Sequence, residues 1–161
     1  MPNRKPLDAP LAGNRAQQLD RQLCFALYSS SLLMTKLYKP LLAPLGLTYP
    51  QYLVMLVLWE TDALAVGALG ERLYLDSGTL TPLLKRLEAA GFVTRLRAAD
   101  DERRVIVTLT ALGRALRRKA AHAPNNVACA VGADLATLTS LTAQLQALRD
   151  HIAGHLRPAA A

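Results

Sequence analysis

The chain is poor in aromatic residues and in cysteine. Phe, Trp and Tyr make up 5% of its 161 residues, whereas hydrophobic residues make up 52% and are mostly Leu and Ala. This composition favours helices over strands. The apolar content is sufficient to bury a core without disulfides or metal. Two cysteines are too few for a disulfide framework, so each is considered as a thiol.

Long apolar runs are also missing. The longest strongly apolar run, residues 52–59, is far shorter than the roughly 20 residues that a membrane-spanning helix needs. The N-terminal stretch has no apolar segment of the secretory type. We therefore expect a cytoplasmic protein with no membrane partner. Residues 1–18 are expected to form a flexible arm, and residues 19–161 a single domain.

Acidic residues are outnumbered by basic ones. The chain has 19 Lys and Arg against 12 Asp and Glu, a formal net charge of +7 and a sequence pI of about 9.9. Residues 71–120 hold eleven of these bases and six of the acids, so most of the excess charge lies in this segment. The excess predicts a polyanionic partner, although charge alone fits an ordinary solvated surface equally well.

Two long helices are predicted near the ends of the domain. Apolar residues recur at helical spacing from Leu19, which predicts a helix of about 20 to 25 residues, capped by Asp20, with its end marked by Pro40 and Pro44. The serines at residues 29–31 are a candidate position for a kink. A last helix over residues 134–156 has leucines at a coiled-coil-like spacing.

Shorter elements are predicted between the two long helices. Helical patterns cover residues 48–59, 66–73, 76–90 and 110–121, and Gly91 closes the third of them. Period-two patterns then predict strands over residues 92–97 and 104–109, joined by a polar tip. Residues 123–126 break the pattern, so Cys129 is expected in an irregular stretch.

This order of elements is that of a winged helix-turn-helix. The predicted fold is mainly α with a small β-hairpin wing. The winged helix-turn-helix spans about residues 48–109, and the segments at about 19–47 and 110–156 supply dimerisation helices. The expected partners are double-stranded DNA with a pseudo-palindromic operator and a second copy of the chain.

The helix over residues 76–90 is the candidate recognition helix. Its early residues are small and polar, which allows a helix N-terminus to approach phosphates and base edges closely. We expect DNA contacts from the residues Ser77, Thr79, Thr81, Lys85 and Arg86. Two starts are compatible with the sequence, one capped by Asp76 and a later one capped by Thr81 before Pro82.

The hairpin tip is a second candidate DNA contact. Arg103 and Arg104, with Arg95 and Arg97 on the strand before them, are placed to reach a minor groove or phosphates. Asp101 is expected to fold back and orient Arg103 rather than to face DNA. The alternative is a β-turn that contacts only solvent.

The residues of the wing and recognition helix resemble a known family. Asp101-Glu102-Arg103 followed by Leu109-Thr110 matches the D-x-R-x5-L-T wing signature of MarR-family regulators. Residues 75–88 resemble the recognition helix of its OhrR branch, repressors that sense organic hydroperoxides. The resemblance covers about residues 19–156. It implies a homodimer in which each subunit offers one recognition helix and one wing.

Cys24 is the candidate reactive thiol. If Asp20 caps the first helix, Cys24 lies near its first turn, where the helix dipole favours a thiolate. Tyr38 and Tyr49 are candidates to donate phenolic hydrogen bonds to it. Fourteen residues of continuous helix place Tyr38 about 21 Å from Cys24, so Tyr38 could reach only the cysteine of a partner subunit. A buried, inert Cys24 is the alternative.

The OhrR resemblance assigns roles to these residues. Cys24, Tyr38 and Tyr49 match the peroxide site of that branch position by position. Cys129 resembles the resolving cysteine of its two-cysteine type, which implies an intersubunit disulfide between Cys24 and Cys129 and release of the operator. The resemblance further implies that an organic hydroperoxide is the inducer.

Alternative functions follow from the same residues. One is a MarR-like repressor that responds to a small aromatic ligand in the dimer crevice; others are a thiol peroxidase using both cysteines and an architectural DNA-binding protein. We expect no enzyme activity, no catalytic residue and no cofactor. His151 and His155 are four residues apart, but no further ligand completes a metal site, so none is expected.

Overall fold

The computed structural model describes residues 17–98, 101 and 103–156, which form a mainly helical fold with one small sheet. The seven helices are α1 Leu23–Leu42, α2 Tyr49–Glu60, α3 Val66–Leu73, α4 Ser77–Ala89, α5 Ala111–Ala120, α6 Ala123–Val131 and α7 Leu135–Leu156. The strands are β1 Leu64–Ala65, β2 Val93–Arg97 and β3 Val105–Leu109. Short 3-10 turns flank α1 at Leu19–Arg21 and Ala43–Leu45. The predicted fold class is confirmed. Residues 1–16 of the predicted arm lie outside the described residues.

The sheet is antiparallel in the order β1-β3-β2. The predicted hairpin is confirmed, with Val93 paired to Leu109 and Arg97 paired to Val105. Strand β1 was not predicted, because two residues are too few to show a period. It pairs Leu64 with Val107 on the other edge of β3, and thus anchors the wing beside the start of α3.

The core is centred on α2, which is buried on almost every side as its sequence predicts. Thr48 and Tyr49 begin this helix as expected, and the Thr48 N–H donates to the Gln51 side chain at 2.8 Å. Trp59 closes the core toward α5, where its indole N–H donates to the Gly113 carbonyl at 2.9 Å. Leucines of α3 and α4 complete the core; these are Leu69, Leu80, Leu84 and Leu87.

Helix α1 differs from its prediction at its start. It begins at Leu23, after a 3-10 turn that contains Asp20, and its N-cap is Gln22, without a side-chain hydrogen bond. The expected Asp20 cap is therefore wrong. The helix ends at Leu42, between the two prolines that marked its predicted end: Pro40 lies in the last turn and Pro44 in the 3-10 turn that follows. The helix is continuous through Ser29, whose hydroxyl donates to the Phe25 carbonyl at 2.7 Å.

Helix α6 was not predicted. Residues 123–126 were expected to break the helical pattern, but they form the start of this helix. Pro124 lies in its first turn, where a backbone N–H has no hydrogen-bond partner within the helix, so the lack of one in proline costs nothing. Cys129 is therefore helical, and not in an irregular stretch as expected. The last helix is confirmed, with the Asp134 carboxylate accepting from the Thr137 N–H at 2.6 Å.

The turn between α3 and α4 is tight. Tyr74 ends α3 in the left-handed region, with φ of +55°. A Cβ on Gly70 would lie 2.8 Å from the Leu75 carbonyl oxygen, so only glycine allows the chain to fold back this closely. The early start of α4 is confirmed, since Asp76 is its N-cap and Pro82 lies inside it.

Among the described residues, no single helix is long and apolar enough to cross a membrane. One bent pair meets the length and composition when taken together: α1 with the turn that follows it, and α2, at 71° to each other.

Candidate nucleic-acid interface and thiol sites

The N-terminus of α4 is capped by Asp76. The Asp76 carboxylate accepts from the Thr79 N–H at 2.7 Å and from the Thr79 hydroxyl at 3.1 Å, and these bonds hold the pKa of Asp76 below its usual range. The Thr81 hydroxyl donates to the Ser77 carbonyl at 2.7 Å. Ser77 and Thr79 remain exposed, so the predicted contact residues of this first turn are accessible to a partner.

The rest of α4 is amphipathic. Leu80, Leu84 and Leu87 are buried in the core, whereas Lys85 and Arg86 are exposed. The two cations therefore lie on a helix whose opposite side is fixed by packing, as the sequence predicts.

The wing turn is stabilised by Asp101. Its carboxylate accepts from the Arg103 N–H at 3.0 Å, and its carbonyl accepts from the Arg104 N–H at 2.9 Å. Asp101 thus contacts Arg103 through the backbone. Arg103 and Arg104 are both exposed, and Arg97 is exposed on β2.

A groove joins the wing to the recognition helix. It has a volume of about 470 Å³ and is lined by Thr81 of α4, by Arg95 of β2 and by Arg103 and Arg104 of the wing. The structure therefore brings four of the candidate contact residues, one threonine and three arginines, to one surface. Lys85, Arg86 and Arg97 are outside the lining of this groove.

The sequence suggests DNA as the partner of Arg95, whereas in the structure Arg95 pairs with Glu88. Its guanidinium donates to the Glu88 carboxylate from Nε at 2.9 Å and from Nη2 at 2.6 Å, and its backbone N–H donates to the same carboxylate at 3.1 Å. This pairing lowers the pKa of Glu88. The ion pair between Arg95 of β2 and Glu88 of α4 therefore connects the wing to the recognition helix. Glu88 is a residue for which the sequence gives no signal.

Both cysteines are free, exposed thiols. Cys24 is the second residue of α1, inside the first turn, and Cys129 lies near the end of α6. Cys24 therefore lies in the first turn of α1, although the N-cap of this helix is Gln22 and not Asp20. Its N-terminal location places the positive end of the helix dipole beside the thiol.

Three tyrosines form one cluster, defined here as Tyr38, Tyr49 and Tyr52. The ring centroids of Tyr38 and Tyr49 are 4.7 Å apart, and Tyr52 lies 5.7 Å from Tyr38. Burial raises the pKa of all three phenols, with the neighbouring rings adding to the effect at Tyr38 and Tyr52. Neutral phenols are hydrogen-bond donors. The sequence gives no signal for Tyr52, because α2 is apolar on every side and no single face of it stands out.

Cys24 and the tyrosine cluster lie far apart within one chain. Tyr38 and Cys24 are on the same unbroken helix, fourteen residues apart, which corresponds to about 21 Å of helix. The cluster therefore cannot contact the thiol of its own subunit.

The long helices expose extensive apolar surface. On α1 this surface includes Leu23, Leu27, Tyr28, Leu32, Leu33 and Leu37, and on α7 it includes Leu135, Leu141, Leu145, Ile152 and Leu156. No described residue of α7 is buried. Exposed apolar patches of this kind mark interaction surfaces. Near the end of α7, the ring centroids of His151 and His155 are 4.7 Å apart and the rings are tilted by 47°; no group of three metal-binding side chains occurs in the described part of the chain.

A helix-turn-helix with a basic groove beneath a β-hairpin wing defines a winged-helix regulator of the MarR type. The model for the family Transcriptional regulator SarA/Rot matches residues 36–119, and the chain belongs to this family. The MarR-like, OhrR-like resemblance stated from the sequence is confirmed.

Two curated relatives are similar over much of the chain. The organic hydroperoxide resistance transcriptional regulator of Bacillus subtilis is 56% identical over 110 residues, which cover 68% of this chain and 75% of that protein. The HTH-type transcriptional regulator TtmR of Methylorubrum extorquens is 47% identical over 149 residues, which cover 92% of this chain and 76% of that protein.

The solved structures of AbfR from Staphylococcus epidermidis are also similar. Reduced AbfR bound to DNA has a TM-score of 0.77 and 33% identity, covering 89% of this chain and 99% of AbfR. Disulfide-formed AbfR has a TM-score of 0.60 and 37% identity, covering 83% of this chain and 93% of AbfR. The structure of this chain is thus more similar to the reduced, DNA-bound form.

Proposed function

We propose that this protein is a dimeric DNA-binding repressor that senses organic hydroperoxides through Cys24. The observation that carries the proposal is the placement of an exposed thiol in the first turn of α1, with a cluster of neutral phenols about 21 Å further along the same helix. A thiol at one end and its candidate donors at the other form a complete site only when two copies meet.

A homodimer satisfies that requirement. The exposed apolar surface of α1 and α7 provides a face that a second copy can cover. If two α1 helices pack antiparallel, Cys24 of one subunit approaches the tyrosine cluster of the other. Phenolic hydrogen bonds then support the thiolate. The hydroperoxide resistance regulator of Bacillus subtilis, by its name, acts in the response proposed here.

The chemistry has two steps. The Cys24 thiolate attacks one oxygen of the hydroperoxide, the O–O bond breaks, and the products are a cysteine sulfenic acid and an alkoxide that takes up a proton. The thiolate of Cys129 from the partner subunit then attacks the sulfenic sulfur, the S–O bond breaks, and the products are a disulfide and a hydroxide that takes up a proton to become water. AbfR, which is known in reduced and disulfide forms, provides a similar fold in both states.

Formation of the disulfide alters DNA binding through geometry. A disulfide requires Cα atoms within about 7 Å, so α1 of one subunit and α6 of the other must come together. Residues of α4 (Ser77, Thr79, Thr81, Lys85 and Arg86) and of the wing (Arg97, Arg103 and Arg104, with Asp101 as their support) are proposed to contact the operator. Two half-sites spaced by one DNA turn tolerate little change in the separation of two α4 helices.

A mobility-shift assay with the natural upstream region tests the proposal. Cumene hydroperoxide at stoichiometric concentration is expected to release the DNA, and dithiothreitol to restore binding. The Cys24→Ser variant should bind DNA and fail to release it, whereas Cys129→Ser should still become oxidised at Cys24. DNA binding by the unaltered protein that persists under peroxide contradicts the proposal, and favours control by a small ligand instead.

A further inference from the structure

Asp62 connects the elements that meet at the base of the wing. It lies between α2 and β1, and Oδ1 of its carboxylate accepts from the Leu109 N–H at 2.8 Å and from the Ala63 N–H at 2.8 Å. The other oxygen, Oδ2, accepts from Nη1 of Arg114 at 3.1 Å. The same Nη1 atom donates to the Leu109 carbonyl at 2.8 Å. We call Asp62, Leu109 and Arg114 the wing-base clamp.

The clamp takes the place of missing strand residues beside β3. The first pair of β1 with β3 is Leu64 with Val107. The same antiparallel register, continued by two residues, sets Asp62 opposite Leu109. Since β1 does not extend that far, the Asp62 carboxylate supplies the acceptor for the Leu109 N–H at the end of β3. Leu109 is buried, and a buried N–H without a partner is costly, so this carboxylate fixes the end of the strand.

The backbone beside the clamp is held in a conformation that it does not prefer. Ala63 has φ of +57°, in the left-handed region that alanine rarely adopts. Its N–H donates to the Asp62 carboxylate, and this turn redirects the chain from α2 into β1. Residues held in sparsely populated backbone regions persist only where the surroundings determine them strongly, which favours a positional role for Asp62 over that of an ordinary surface charge.

The clamp and the cations of the wing tip lie at opposite ends of β3. This strand has five residues, so the backbone of Arg104 is about 17 Å along the strand from Leu109. A rotation of the hairpin by about 10° at its base therefore moves the tip by about 3 Å, enough to break a hydrogen bond to a phosphate. The pairing of Arg95 with Glu88 holds β2, whereas the clamp holds β3.

From this arrangement we propose that Asp62 is a positioning residue for operator binding. Its carboxylate sets the angle of the wing relative to α4 and thereby places Arg103 and Arg104 against the DNA. The proposal rests on the wing contacts of the proposed function and is independent of the peroxide chemistry. A carboxylate repels phosphates, so a favourable effect of Asp62 on DNA binding acts through the residues that it holds.

Fluorescence anisotropy with a labelled operator measures the contribution of Asp62. We expect D62A to bind about three- to tenfold more weakly, in the range of coupling between residues in contact. Net charge alone predicts the opposite sign, because loss of an acid strengthens binding to DNA. D150A is the matched control: it removes the same charge from an ion pair with its neighbour Arg149 on α7 and should bind at least as tightly as the unaltered protein.

A second variant covers loss of folding. D62N keeps an acceptor oxygen for the two N–H groups and loses the ion pair with Arg114, so its affinity should lie between those of D62A and the unaltered protein. Urea unfolding shows which variants are folded at the temperature of the assay, and D62N replaces D62A if D62A is not. A folded Asp62 variant that binds as tightly as D150A overturns the proposal.

A double-mutant cycle separates positioning of the wing from a general loss of stability. D62A is combined with R103A/R104A, which removes the cations of the tip, and separately with K85A, which removes a cation of α4. The effect of D62A should fall below about twofold in R103A/R104A and persist undiminished in K85A. An effect of equal size in both backgrounds indicates general destabilisation and overturns the proposal.

The same cycle distinguishes failure of this proposal from failure of the proposed function. R103A/R104A that binds the operator as tightly as the unaltered protein contradicts the wing contacts, and the role of Asp62 in binding is then wrong as well. Weak binding by R103A/R104A together with an uncoupled D62A contradicts only the role of Asp62. Release of bound DNA by cumene hydroperoxide tests the sensor separately, because Cys24 and Cys129 are unchanged in every variant.

Discussion

Replacement of Arg103 by Ala should weaken DNA binding and reduce its dependence on salt. Arg103 is exposed on the wing, its backbone is fixed by Asp101, and its side chain lines the same groove as Thr81 of the recognition helix. A phosphate contact by one cation contributes about 0.9 to the slope of log K against log salt concentration. A dimer has two wings, so the slope should fall by about 1.8.

This change in slope has a measurable consequence. Between about 50 mM and about 200 mM salt, a slope difference of 1.8 corresponds to about 12-fold in relative affinity. Fluorescence anisotropy with a labelled operator over a salt series measures both slopes. Arg118→Ala, an exposed cation of α5, is the matched control and should leave the slope nearly unchanged. An Arg103→Ala slope equal to that of the unaltered protein would refute the assignment of the wing to the DNA interface.

Three further predictions concern stability and the wing. Gly113→Ala should destabilise the fold by about 1 to 3 kcal/mol in urea, because the new Cβ would lie 2.0 Å from a backbone carbonyl oxygen, whereas Gly154→Ala, with nothing within 4 Å, should not. Burial raises the pKa of the phenols in the tyrosine cluster. The contribution of the neutral phenols to the stability of the fold should therefore be complete below the pKa of unfolded tyrosine and decline as pH rises above it. Ultraviolet titration should detect tyrosinate in the cluster only at higher pH than in the unfolded protein. Glu88→Gln should increase hydrogen exchange in the wing and weaken operator binding, because it removes the charged partner of Arg95. In the unaltered protein, the stabilising effect of this ion pair should be lost only as pH falls through the lowered pKa of Glu88. Equal hydrogen exchange of the wing in both proteins would contradict this prediction.

The parts of the fold that the sequence predicted have local signals. Asp76 before α4, Gly91 after it and the alternation in the two wing strands each lie within a few residues of the element that they define. The same holds for α3, whose predicted and observed bounds agree.

The parts that were missed depend on tertiary structure. Pro124 follows a break in the apolar pattern and so indicates an interruption, but a proline is equally compatible with the first turn of a helix, which is its position in α6. Strand β1 exists only because β3 lies beside it. The pairing of Glu88 with Arg95 requires α4 and β2 to be folded against each other, and no sequence period links the two residues.

The candidate thiol site also combines residues that the sequence identifies with one that only the packing of helices reveals. The sequence identified the thiols and two of the three clustered tyrosines, but Tyr52 joins them only through the packing of α2 on α1.

The most direct test of a sensor shared between subunits is a mixed-dimer crosslinking experiment. Cys24→Ser and Cys129→Ser proteins are mixed, allowed to exchange subunits, treated with cumene hydroperoxide and run on a non-reducing gel, with each variant alone as a control. The mixed dimer retains one Cys24 and one Cys129, on different chains. We expect a covalent dimer that forms in the mixture in a larger amount than in either control and that disappears with dithiothreitol. A mixture that remains monomeric on the gel, while the unaltered protein forms its disulfide within single chains, would contradict it.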